Sequence, residues 1–230
     1  MSTFPGTGLS ARALTKSFGQ VLALAGIDLE IPHGQTLAIM GPSGSGKSTL
    51  LHCLSGILRP DSGSVLLDGS QISSRSDRER SQLRRSAFGF VFQDGQLIEE
   101  LPARENVALP LMLEGLSRRE ALVAADEMLD RLGVREAANR RPGSMSGGQA
   151  QRVAVARALV HGPEVVFADE PTGALDQATG HEVMQVLTAS AARTGSSLVL
   201  VTHDLNVASW CDRLIEIRDG LVHADSEARS

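Results

Sequence analysis

The sequence predicts an α/β protein with a mainly parallel sheet and a helical insertion, and three observations carry that expectation. Apolar runs of strand length at 36–40, 88–92, 165–168 and 197–201 alternate with helix-patterned stretches, and such alternation implies parallel pairing. Gly41, Pro42, Ser43, Gly44, Ser45, Gly46, Lys47, Ser48 and Thr49 fit G-x-x-x-x-G-K-[ST] and stand between a strand and a helix, the context that phosphate-cradling loop requires. The stretch from about 94 to 148 is patterned as helix and reads as an insertion.

Taken in order, residues 9–40 hold short segments at 9–14, 22–24 and 27–31, broken by Gly19, Gly26 and Pro32-His33-Gly34, a β-rich start. After the strand at 36–40, the glycines let backbone approach a phosphate, and the next helix presents free N–H groups to an anion. Lys47 reaches the β- and γ-phosphates, and the Ser48 hydroxyl can hold Mg²⁺. Lysine occurs only at Lys16 and Lys47, so one of the two falls where the loop demands it. The helix is expected to carry Leu50, Leu51, Leu54, Ile57 and Leu58 on one face and to stop at 59–63. A strand follows at 64–68, then a charged helix at 75–85 with capping-box spacing at Ser76 and Glu79. The strand at 88–92 ends at Gln93. Ser117 and Glu120 form a second capping box before a stripe of Leu122, Ala125, Met128, Leu129 and Leu132, which Gly133 closes. A breaker at 140–143 precedes a helix beginning near Gly148, and a further helix over 178–193 separates the last two strands. One domain results: a core from 9–93 and 149–223, a helical part over 94–148, and a polar, frayed tail at 224–230.

Composition limits the function classes. A length of 230 residues, 42% hydrophobic and 21% charged, suits one globular domain. A net charge of −5 offers no basic excess for displacing counterions, so no nucleic-acid partner is expected. Cys53 and Cys211 form no paired motif, which indicates neither a disulfide framework nor a zinc site. Met1 to Ser10 lack the basic and apolar regions of a leader, and no run approaches the length of a membrane span.

Two further stretches carry chemistry. Asp169-Glu170 closes the strand at 165–168, and ligands of such sheets bind beyond the strands' carboxyl ends. Asp169 then suits the shell of a Mg²⁺ ion and Glu170 the base that polarises an attacking water; a structural pair of surface carboxylates is the alternative. Ser146-Gly147-Gly148-Gln149 opens a helix with a hydroxyl and free N–H groups, a second anion site unless it is an ordinary cap. Two phosphate sites in one domain suggest that each serves a different nucleotide.

With these residues in view, the chain resembles the nucleotide-binding subunit of an ABC transporter over about residues 9–223. Gly41 to Thr49 match the Walker A motif, the strand ending in Asp169 Walker B, and Glu170 the catalytic glutamate. Gln93 matches the Q-loop glutamine, which in this family also reaches the metal. Met145 to Gln149 match the signature LSGGQ with Met for Leu, Ala174-Leu175-Asp176 the D-loop, and His203 the switch histidine. Phe18 stands where the family stacks an aromatic on adenine, with core packing as its alternative. The resemblance implies a P-loop NTPase core with an N-terminal antiparallel β subdomain and an inserted helical subdomain. It also implies ATP hydrolysis with Mg²⁺, Lys47, Gln93, Glu170 and His203 serving the reaction. Two copies would close head to tail around two ATP molecules, completing each site with the other copy's Ser146, Gly147, Gly148 and Gln149.

The segments 89–93, 105–111 and 168–176 resemble the branch serving lipoprotein release, macrolide and peptide-antibiotic efflux, haem export and cell division. That branch implies a four-helix permease with an extracytoplasmic domain, reached from the cytoplasmic face of the membrane. Asp94-Gly95-Gln96-Leu97 and Pro102 depart from it, in the region that would meet the membrane subunit. Against transport stand a soluble ABC ATPase acting on ribosomes or DNA and a regulatory module without turnover. The intact Glu170 and His203 speak against the latter.

Overall fold

A computed structural model describes residues 8–227. Residues 1–7, where no leader is expected, and 228–230 of the expected tail lie outside the described residues.

The chain builds two sheets. The first is antiparallel, with strand order β2-β1-β4-β5 from β1 (Gly8–Phe18), β2 (Val21–Pro32), β4 (Ser62–Leu67) and β5 (Ser70–Gln71). The three short segments expected over 9–31 are two long strands. Gly26, expected as a break, has φ 103° and falls where the β1–β2 register slips between Leu14↔Ile27 and Thr15↔Ala25. It forms a bulge, which a residue without Cβ absorbs while pairing continues on both sides.

The second sheet runs β10-β9-β3-β8-β7-β6, from β3 (Thr36–Met40), β6 (Phe88–Phe92), β7 (Val165–Asp169), β8 (Ser197–Val201), β9 (Arg213–Arg218) and β10 (Leu221–Glu227). Every pairing is parallel except β9 with β10. β3, β7 and β8 are covered on both faces, which is why they read as unbroken apolar runs. The β9–β10 hairpin was not read from the sequence, and residues 224–227 extend β10 instead of fraying.

Helix α1 (Lys47–Leu54) packs on β1, β2, β7 and β8. It ends before Ile57 and Leu58, which were expected on its apolar face. Gly56 takes φ 67° and its N–H closes on the Cys53 carbonyl at 3.1 Å, a left-handed stop one turn ahead of Pro60. Helix α2 (Asp77–Ser86) precedes β6. Beyond it come α3 (Ala103–Leu113), α4 (Arg118–Arg131) and two short 3-10 turns, then α5 (Gly147–Leu159). Both expected capping boxes are present, Ser76 with Glu79 and Ser117 with Glu120. Helix α6 (Gln177–Thr194) joins β7 to β8, and the single turn α7 (Leu205–Ala208) follows β8. One buried cluster joins α3–α6 to one side of the second sheet. The other joins its opposite side to α1 and the first sheet.

Candidate functional site

β3, β8, β7 and β6 are adjacent and parallel, so the segments leaving them emerge at one edge. These segments carry, in that order, the loop Gly41 to Thr49, His203, Asp169-Glu170 and Gln93. Topology thus gathers residues spread over more than half the chain, as ligand sites of open α/β sheets require.

The loop's shape depends on two glycines. Gly41 has φ 144°, and a Cβ there would stand 2.1 Å from the Ile217 carbonyl oxygen; at Gly46, φ is 106° and the same atom would stand 2.3 Å from the Ala23 carbonyl oxygen. Gly46 caps α1 with no side chain over its N-terminus, leaving the first turn's N–H groups to an anion. Lys47 Nζ donates to the Gly41 and Pro42 carbonyls at 2.9 and 2.8 Å, so the ammonium lies across the loop it follows. The Ser45 hydroxyl is buried without a protein partner, an orphan that a phosphate oxygen would satisfy.

Ser48 Oγ donates to Asp169 Oδ1 across 3.5 Å. Burial pushes the Asp169 carboxyl above its usual range, while the Ser48 hydroxyl pulls the other way. Hard oxygens beside a phosphate cradle, one on a carboxylate destabilised by burial, fit Mg²⁺ shared with a nucleotide.

Glu170 adopts φ 48°, rare for a residue with a side chain. Three consecutive residues at the end of β8 hold it. Its N–H donates to the Val201 carbonyl at 2.9 Å, its Oε2 accepts from Thr202 Oγ1 at 3.3 Å, and its Oε1 accepts from His203 Nδ1 at 2.8 Å. The His203 side chain is otherwise three-quarters exposed. Gln93 lies against the turn that carries Glu170: a Cβ on Gly173 would meet Gln93 Nε2 at 3.1 Å. Glycine at 173 therefore leaves that side chain its room.

Phe18 is 51% exposed, which removes core packing as its explanation. The Lys16 ammonium sits 5.7 Å from its ring centroid and pairs with Asp61 at 2.7 Å.

Ser146 to Gln149 stand apart from this assembly. Ser146 caps α5 in a reciprocal capping box, with Ser146 Oγ accepting from the Gln149 N–H and Gln149 Oε1 from the Ser146 N–H. Gln149 Nε2 reaches Glu136, so its side chain serves the cap. Gly147 and Gly148 make room for Leu175 and Thr179. Among the described residues no hydrogen bond ties these four to the loop 41–49. Thr202, which the sequence showed only as a neighbour of His203, is the site residue that sequence reasoning passed over. Nothing local marks it, because its partner is 32 residues away.

A phosphate loop with an acidic strand end beside it, and a second glycine-bearing helix start facing elsewhere, defines a nucleotide-binding cassette. Residues 24–173 match the family model described as ABC transporter, and the chain belongs to that family. It is 47% identical to a macrolide export ATP-binding/permease protein, MacB, of Nitrosomonas europaea, over 95% of this chain but 34% of that protein. It is 44% identical to the lipoprotein-releasing system ATP-binding protein LolD of Bacteroides fragilis, over 90% of this chain and 96% of that one. The chain thus spans about a third of the MacB relative and nearly all of the LolD relative. Its fold matches the dimeric post-hydrolysis state of the ATP-binding cassette MJ0796, bound to ADP and Pi. There the TM-score is 0.88 and the identity 40%, with 96% and 99% of the two chains covered. A third likeness is to cbiO1 of Clostridium perfringens, part of the ABC transporter complex cbiONQ, at TM-score 0.88, 32% identity, and 97% and 89% coverage of the two chains.

Proposed function

We propose that this chain is the ATP-binding and ATP-hydrolysing subunit of an ABC exporter or mechanotransmission complex. The observation that carries it is the convergence of the phosphate loop, Asp169, Glu170, His203 and Gln93 at one sheet edge. Phe18, exposed at the end of β1, stacks on the adenine. Gly41, Ser43, Gly44, Ser45, Gly46 and Thr49 wrap the phosphates, and Lys47 turns from its own loop's carbonyls to the β- and γ-phosphates. Ser48, Asp169 and Gln93 would hold Mg²⁺, which when bound would neutralise charge on the phosphate oxygens. Glu170 takes a proton from the attacking water, and His203 contacts the γ-phosphate from the neighbouring turn after β8.

Ser146, Gly147 and Gly148 serve the other copy's nucleotide. Their helix terminus is fixed by its own capping box and does not join this chain's loop, so a head-to-tail pair uses both anion sites. Closure is driven by nucleotide binding, and opening follows hydrolysis.

Among the described residues no helix is long and apolar enough to cross a membrane. The membrane part would be a four-helix permease with an extracytoplasmic domain, holding this chain at the cytoplasmic face. A mostly apolar groove of about 220 Å³, lined by Phe88, Phe90, Leu109, Leu113, Arg84 and Arg85 among others, would take an apolar side chain of that partner. The test is turnover. The chain with Mg²⁺ should hydrolyse ATP, and Glu170→Gln should bind ATP with unchanged affinity yet fall at least about 100-fold in kcat. Wild-type turnover in that variant would remove Glu170 as the base. Recovery of ribosomes in place of a membrane protein, from a detergent-extract pull-down, would overturn the transport reading.

A further inference from the structure

Glu170 is held by three successive residues of one strand end, and they are not alike. Val201 offers only a backbone carbonyl. His203 is three-quarters exposed and bonds Oε1. Thr202 is 1% exposed and bonds Oε2. Among the described residues, the one hydroxyl hydrogen-bonded to Glu170 is thus a buried one.

Its proton has one available direction. A hydroxyl carries one donor and two lone pairs. Thr202 Oγ1 accepts from the Asp204 N–H at 3.1 Å, which occupies a lone pair and leaves the proton to donate. Glu170 Oε2, 3.3 Å away, is a carboxylate oxygen and accepts. The same hydroxyl therefore ties Glu170 to the backbone of the turn that carries His203. Without it, among the described residues, Oε2 would keep no protein donor and the side-chain hydrogen bond left to Glu170 would come from an exposed imidazole.

We propose that Thr202 is the positioning residue for the catalytic base: it fixes the Glu170 carboxylate in register with the His203 turn. This rests on Glu170 being the base. The role is distinct from packing, because valine fills the same volume with the wrong chemistry. It is also distinct from nucleotide binding, because Thr202 reaches the reaction only through Glu170. A misdirected base slows the chemical step and leaves substrate affinity alone, since orientation matters in the transition state and not in the bound complex.

The experiment measures kcat, KM for ATP and thermal midpoint for Thr202→Ser, Thr202→Cys and Thr202→Val in the full chain, with Glu170→Gln in parallel. Serine keeps the donor, a thiol is a weaker one and valine has none. The expected result is a graded series. Thr202→Ser stays within about threefold of wild type, Thr202→Cys is intermediate, and Thr202→Val falls roughly 10- to 100-fold in kcat, as loss of a hydrogen bond to a charged group implies. KM stays constant across it. If Thr202→Val fails to fold, the Ser and Cys variants still decide the order. Wild-type kcat in Thr202→Val and Thr202→Cys, with Glu170→Gln inactive, would overturn the positioning role and leave the base standing. A fall in kcat that follows the thermal midpoint, with no rescue by serine, would show a structural role and overturn it equally. Full turnover in Glu170→Gln would remove the base itself, and the proposal with it.

Discussion

Gly46 shows how single positions decide the site. A methyl group there would have to displace the Ala23 carbonyl, 2.3 Å away, from backbone already committed to φ 106°. Gly46→Ala should therefore lower stability by about 1–3 kcal/mol and weaken ATP binding at least tenfold, read by denaturant melts and equilibrium titration; an unperturbed affinity would mean the loop does not need its left-handed turn. The two cysteines give an independent check on burial. Desolvation pushes the thiol of Cys53 up to about 11 and that of Cys211 up to about 12. Both are raised above the ordinary thiol value, so the reactive thiolate is scarce at pH 8 and grows only toward those values. Alkylation of the native chain at pH 8 should be slower than that of the denatured chain by about 100-fold or more. Comparable rates would show that α1 and the β8–β9 connection open readily.

Elements announced themselves wherever their signal is local. The capping boxes of α2 and α4 are short local patterns, the strands β3, β7 and β8 are apolar runs that burial on both faces dictates, and β6 is an apolar edge strand with Phe90 and Phe92 half-buried. The β9–β10 hairpin had a legible signal too. Ile215 and Ile217 are buried between half-buried Glu216 and exposed Arg218. Asp219-Gly220, with φ 48° and 72°, is the Asp-Gly pair of a two-residue turn. Its charged residues hid the strand. Other features were illegible because their cause is distant. Gly26 bulges rather than breaks because β1 continues opposite it. The loop after Gln93 has its shape because α5 and α3 grip it: Arg157 donates to the Gly95 and Gln96 carbonyls at 2.7 Å each, and Gln151 to that of Phe92 at 3.0 Å. Asn106, fully buried, accepts from the Ile98 N–H and donates to the Ile98 and Leu101 carbonyls. Asn106→Ala strands those groups away from water and should cost about 2–4 kcal/mol in chemical denaturation. A cost below about 0.5 kcal/mol would show that the loop holds itself.

At the scale of the whole molecule, the fold places the helix starts at Gly46 and Ser146 on different elements of one chain and brings only the first beside Asp169. The sequence announced both motifs, since each is a contiguous pattern. It could not show that α5 turns its cap toward Leu175 and Thr179, because that is a matter of packing. Completion of the nucleotide site by a second copy is tested most directly by light scattering on the Glu170→Gln chain. With ATP the mass should double, and adding Ser146→Arg should hold it at the monomer value while ATP binding to the loop persists. A Glu170→Gln chain that binds ATP and stays monomeric, or a dimer indifferent to Ser146→Arg, would contradict the account.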